Sequence, residues 1–282
     1  MHQIGFMQGR LCDQVGGKIQ AFPWRAWEEE FPAATALGIH AMEWTLDQEC
    51  LLKNPLMTAE GRARIHGLQV EYPIAIPSLT GDCFMQAPFW KDTWEVAANR
   101  KADFLAVCNA CSLMGVRLVV VPLVDCGSLD NTAQEDELVE FLLSQQQLFA
   151  EQNIQVILES DYGPEELGRL IERLPIEQFG VNYDIGNSAA LGFDPVAEFA
   201  AYGTRVLNVH VKDRMLGGTT VPLKTGAAQF ELVFEQLANV NYRGNFILQT
   251  ARAVDADHAG VLGSYYEMTR GWISQSGLGV TE

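Results

Sequence analysis

Four polar residues stand at the ends of four successive apolar runs. Glu159 comes next to last in IQVILES, Asp184 closes FGVNYD, His210 comes near the end of VLNVHV, and Gln249 follows NFIL. Two carboxylates, an imidazole and an amide oxygen make a mixed, hard-leaning donor set. It suits one divalent ion: Mn²⁺, Mg²⁺, Co²⁺ or, less selectively, Zn²⁺. An ion that chelates a carbonyl oxygen and the adjacent hydroxyl acidifies the intervening C–H, because positive charge holds the resulting enediolate. Each residue also has a plainer reading. Ser160 or Asp161, ahead of Gly163-Pro164-Glu165-Glu166, suits a helix cap without any role for Glu159, and a lone histidine in an apolar strand is commonly a hydrogen-bonded core residue. The register shared by consecutive runs favours one common site.

For these residues to meet, the runs that carry them must converge. Eight short apolar runs recur along the chain: IGFM, IHAMEW, IAIPSL, RLVVVPLV, IQVILES, GVNYDI, VLNVHV and NFILQT. Between them lie amphipathic stretches with helical spacing, among them WRAWEEEFPAATALG, TAEGRARIHGLQ, ELVEFLLSQQQLFAEQ, PEELGRLIERL and FELVFEQLANV, and DHAGVLGSYYEMTRGWI follows the last run. Glycines at 38, 67, 115 and 203 are read as helix stops. Strand alternating with helix predicts parallel strands with right-handed crossovers, and eight units in 282 residues predict a closed (β/α)8 TIM barrel, one domain over 1–282. No GxGxxG follows the first run, which argues against a dinucleotide-binding sheet. In a barrel of this kind the strands' carboxyl ends surround the site, so an acid that terminates an apolar strand is aimed at it.

Bulk properties narrow the class. With 48% hydrophobic residues the chain can bury a full core, and a formal charge of −17 without a Lys/Arg cluster disfavours nucleic acid as a partner. No apolar stretch approaches the ~18 residues a membrane helix needs. MQGRL follows the first run with no basic leader, and six scattered cysteines suit reduced thiols, so a cytoplasmic protein is expected. Cys108 and Cys111 form a CxxC pair inside a helical pattern and are read as small core residues.

At these positions the chain resembles the xylose-isomerase-like barrels, which include sugar and sugar-phosphate isomerases and epimerases and the endonuclease IV group. The resemblance spans nearly the whole chain. It rests on MQGRL, on Glu43 in MEW, on Asp184-Ile185-Gly186-Asn187, on His210-Val211-Lys212-Asp213, and on PLKTGAAQF between Pro222 and Phe230. It implies that Glu159, Asp184 and His210 bind one divalent metal and that Glu159 is an acid–base catalyst. The fourth ligand of the family is a glutamate that is also the opposing acid–base group. Here it is Gln249, whose amide can give an oxygen to a metal but cannot shuttle a proton. The expectation is therefore aldose–ketose isomerisation with one base, or epimerisation with the second acid relocated to Glu43, Asp82 or Asp125.

Gln8, Arg10, Asn187, Lys212, Arg214 and Arg252 are expected to bind a small sugar or sugar phosphate, the cations meeting phosphate or carboxylate at the barrel mouth. Trp44, Phe84, Phe89 and Trp90 offer faces for stacking on a sugar, and the loop GDCFMQAPFWKD suits a lid or a contact in a homo-oligomer. Two other readings are a dehydratase of polyhydroxy carbonyl compounds, which the resemblance allows, and a carbohydrate-binding barrel without turnover, for which Gln249 argues. Five histidines are too few for the three-metal endonucleases.

Overall fold

The structure is a computed structural model and describes residues 2–279. Eight parallel strands close into a barrel: β1 (Ile4–Met7), β2 (Met42–Thr45), β3 (Ser78–Thr80), β4 (Leu118–Leu123), β5 (Gln155–Ser160), β6 (Phe179–Asp184), β7 (Val206–Val211) and β10 (Asn245–Leu248). Each strand pairs with its neighbours in chain order, and β10 returns to β1 with Ile4 opposite Phe246. The chain therefore folds as the TIM barrel that its eight-unit pattern predicts. Beyond that pattern, a small antiparallel hairpin of β8 (Asp213–Arg214) and β9 (Thr220–Val221) rises from the end of β7. Its two-residue strands are too short to show as an alternating run.

Around the barrel, in chain order, lie α1 (Glu30–Ala36), α2 (Ala59–Glu71), α3 (Asp82–Gln86), α4 (Trp94–Met114), α5 (Thr132–Ser144), α6 (Gln146–Glu151), α7 (Pro164–Glu172), α8 (Ile185–Leu191), α9 (Pro195–Tyr202), α10 (Phe230–Asn239) and α11 (His258–Gln275). Several begin where a short polar side chain meets a free amide. Thr58 Oγ1 accepts from Gly61 N at 3.0 Å and Asn131 Oδ1 accepts from Gln134 N at 3.1 Å. Gly38 and Gly115 take the left-handed conformation that ends a helix, at φ 71° each. Gly67 does not: α2 runs through it to Glu71. The first helix is shorter than expected, because Trp24 to Glu29 form turns before α1.

Most of the core lies between the barrel wall and the helices. There Phe104 of α4 meets Phe84 at 4.5 Å and Phe141 at 5.5 Å between ring centres, and Phe89 meets Phe141 at 4.7 Å. Phe84, Phe89 and Trp90 are thus packing residues, and Trp90 Nε1 donates to Gly127 O at 3.0 Å. Trp44 is fully buried and donates to Asn54 Oδ1 at 3.1 Å. None of the four offers its face to a sugar. A separate small cluster of Leu118, Val120 and Ile157, with Leu207 against it, fills the lower interior of the barrel. Gly180 makes room for it, since a Cβ there would lie 2.5 Å from Leu207 Cδ1.

Candidate active site and metal centre

Successive residues of a strand face opposite sides, so Ile157 and Glu159 share the inner face of β5. The same alternation on β6 and β7 places Asn182 with Asp184 and Asn208 with His210, and the pairing register sets Asp184 beside His210. Above the apolar floor the barrel interior therefore becomes polar. Glu43, fully buried, accepts from Ser78 Oγ at 2.6 Å and from Asn208 Nδ2 at 2.9 Å, and its Oε1 takes His210 Nε2 at 2.7 Å. Asn208 Nδ2 also donates to Asn182 Oδ1 at 2.8 Å, and Asn182 Nδ2 donates to Glu159 Oε2 at 2.7 Å.

Glu159 is held from both sides. Its Oε1 accepts from Asn187 Nδ2 at 2.8 Å, and its Oε2 lies 3.2 Å from His210 Nδ1. Burial would raise its pKa, but His210, Lys212 and Asn182 outweigh burial and keep it below the usual carboxylate range. Burial likewise draws His210 towards the neutral form, while Glu43 and Glu159 overcome that and lift it to about 10. Asp184 divides its oxygens. Oδ1 caps α8 by accepting from Asn187 N at 2.8 Å, and Oδ2 faces Lys212 Nζ at 3.1 Å and His210 Nδ1 at 3.9 Å.

Ligand atoms of Glu159, Asp184 and His210 lie within 4.8 Å of one another, all on buried residues. With His210 Nε2 engaged by Glu43, Nδ1 is the nitrogen turned towards the two carboxylates. A carboxylate on the far ring nitrogen is the usual outer partner of a ligating histidine, and two carboxylates with one imidazole fit a divalent cation. A cation held there would need His210 Nδ1 free of a proton, so metal binding would favour the neutral imidazole. Gln249 Oε1 accepts from Lys212 Nζ at 3.1 Å, and the same ammonium donates to Asn187 Oδ1 at 3.1 Å.

A cavity of about 440 Å³ opens over this cluster, with Arg10, Asp82, Asp125, Glu159, Asn187, Lys212, Arg214 and Gln249 in its wall. Arg214 donates to Asn187 Oδ1 at 2.8 Å and to Gly218 O. Arg10 is 3% exposed, makes one bond to Ile19 O at 3.3 Å, and keeps a buried Nε without a partner. Burial, then the neighbouring Arg252, lowers it to about 9. Three expected site residues lie elsewhere. Gln8 is buried with its Oε1 on Thr45 N, Arg252 binds the carbonyls of Gly9, Cys12 and Ile19, and Glu43 sits beneath His210 rather than in the cavity wall. Asn182 and Asn208 were not anticipated. Their signal is positional, since each stands two residues before an expected ligand on the same strand face.

A family model described as xylose isomerase-like TIM barrel matches residues 31–263. Among curated proteins the chain is 21% identical over 264 residues to SgbU of Escherichia coli (strain K12), a candidate L-ribulose-5-phosphate 3-epimerase, covering 88% of each. Among solved structures, the IOLI protein with a bound zinc atom superposes with a TM-score of 0.74 at 15% identity, over 97% of this chain and 99% of that one. D-psicose 3-epimerase from Clostridium cellulolyticum H10, solved with D-tagatose, gives 0.70 at 12% identity, over 96% and 99%. At these identities the likeness to the two structures is one of fold.

Proposed function

Because the chain belongs to the xylose isomerase-like TIM barrel family, we propose that it is a divalent-metal-dependent isomerase or epimerase of a small sugar or sugar phosphate. The observation that carries this reading is the convergence of Glu159, Asp184 and His210 beneath a cavity walled by Lys212, Arg214 and Arg10. The names of the curated relative and of the D-psicose enzyme support the substrate class. A bound divalent cation would supply positive charge beside a sugar carbonyl oxygen and so acidify the neighbouring C–H.

The chain's own residues do the rest. Glu159, kept ionised by its three polar neighbours, is the base that takes the carbon-bound proton. Asn187 fixes one Glu159 oxygen and meets both Lys212 and Arg214, so base and cations are positioned as one unit. Arg10, with donors to spare, receives an anionic end such as phosphate. Glu43 is a positioning residue that orients His210. Six free cysteines suit a reducing compartment such as the cytoplasm.

The test is elemental analysis with assays on ketoses and ketose phosphates. About one equivalent of divalent metal per chain is expected, with affinity reduced at least ~10-fold in His210→Ala. Unchanged metal content in that variant, or full turnover by the metal-stripped protein, would refute the reading.

A further inference from the structure

We propose that Asp82 is the second acid–base residue of this site, giving a proton to the substrate carbon on the face turned away from Glu159. This rests on the sugar isomerase or epimerase reading above and narrows it to epimerisation. Gln249 lines the same cavity, but its amide neither gives up nor takes a proton near neutral pH. The other nearby carboxyls are committed or displaced. Glu43 lies under His210 with three hydrogen bonds, Asp47 accepts from Phe22 N at 2.7 Å and Gln86 Nε2 at 2.9 Å, and Asp125 is exposed at the rim.

Asp82 differs from all of these. It begins α3 directly after β3, four strands round the barrel from the β7 of His210 and two from the β5 of Glu159, and lines the same cavity as Glu159 and Gln249. It is 7% exposed, and no described residue gives it a side-chain hydrogen bond or an ion pair. A carboxyl that is nine-tenths buried and unpartnered at a cavity wall is placed for something that enters the cavity. Its surroundings also favour the protonated form. Burial first, then the charges of Asp47 and Glu159, push it up to about 8, and His210 and Arg10 offset this only in part. The adjacent Cys83 thiol, itself pushed up by burial, adds no charge.

The step balances without an oxidant. The electron pair of the C–H bond stays on carbon as the proton passes to a Glu159 oxygen, leaving an enediolate. That carbon then takes the proton of the Asp82 carboxyl on its other face, which forms the new C–H bond and leaves Asp82 as carboxylate. Exchange with water in the cavity restores both groups.

The experiment compares the metal-loaded wild type with Asp82→Asn in deuterium oxide on D-psicose, D-tagatose and L-ribulose 5-phosphate. The wild type is expected to form an epimer carrying one solvent deuterium. Asp82→Asn should lose epimer formation by at least ~100-fold while Glu159 still exchanges deuterium into unepimerised sugar. Its metal content and its melting temperature should match those of the wild type. A structural role for Asp82 predicts a lowered melting temperature. Epimerisation within threefold of wild type in the variant, or loss of exchange together with a lowered melting temperature, would overturn the assignment alone. Wild-type protein that only interconverts aldose and ketose would do the same. Absence of exchange and turnover on every sugar would remove the sugar reading itself, and the assignment with it.

Discussion

A carboxylate inside a barrel acts as a base only if groups other than bulk water keep it ionised, and at Glu159 this falls to His210, Lys212 and Asn182. Glu159→Gln should therefore lower kcat by ~10²–10⁴ while retaining an oxygen towards Asp184 and His210, which steady-state kinetics and metal analysis together would show. Gln249 allows the converse experiment. Its amide oxygen meets Lys212, so Gln249→Glu places a new charge against both that ammonium and the ligand cluster. Divalent metal should then bind roughly tenfold more tightly in competition titrations with a chelator. At this scale the sequence was readable where a polar residue interrupts an apolar run at its end, as at Glu159, Asp184 and His210. Asn182 and Asn208 escaped notice because one amide among apolar neighbours looks like an ordinary strand residue until its inner face is known. Glu43 was legible as a site acid but not in its task, since only the fold shows that His210 lies above it.

Among the elements, α8 and the β8–β9 hairpin set the far wall of the cavity. The first residues of α8 press on the end of β7: a Cβ on Gly186 would lie 2.6 Å from Lys212 Cγ and 3.1 Å from the Lys212 carbonyl carbon. Gly186→Ala should push Lys212 off Asp184 and Gln249, raising KM for an anionic sugar several-fold, and should also cost about 1–3 kcal/mol because the root of the Lys212 side chain and its backbone cannot swing clear, as kinetics and thermal melting would show. The hairpin is held differently. Asp213 is fully buried and accepts from Gly226 N at 2.9 Å and Ala228 N at 3.1 Å, tying β8 to the approach of α10. Asp213→Ala leaves those amides unpaired and should cost about 1–3 kcal/mol in urea unfolding. The strands and most helices followed from periodicity because each buries one face. The loop between β3 and α4 did not: its aromatic residues looked suited to a ligand, yet α4 and α5 supply the apolar surface that takes them inward. Nothing local to the sequence distinguishes those destinations.

At the scale of the whole molecule, the loop after β1 is pinned from two distant places. Glu30 of α1 accepts from Gly9 N and Leu11 N, and Arg252, beyond β10, binds the carbonyls of Gly9, Cys12 and Ile19. Burial, opposed by those amides and by Arg252 and Arg10, leaves Glu30 raised to about 7. A carboxyl raised in the folded state holds more protons there than when unfolded, so its contribution to stability falls as pH rises. The fall begins near the unfolded value of 4.5 and is complete just above 7. Over that window it is on the order of 3 kcal/mol, and Glu30→Gln should flatten that part of the profile in urea titrations at pH 4.5 and 7.5. The closure of the barrel has a consequence for how the protein is made. Ile4 pairs with Phe246, so on the ribosome β1 emerges well before β10 and keeps one edge unpaired until the intervening strands and helices have followed. The same holds for the loop that Arg252 fastens. A nascent chain long enough to carry Glu159, Asp184 and His210 would still present an open sheet edge, the kind of surface that chaperones shield. Refolding of the full chain should accordingly be slow and concentration-sensitive until β10 docks, with aggregation suppressed when a chaperone is added at the start and not after docking.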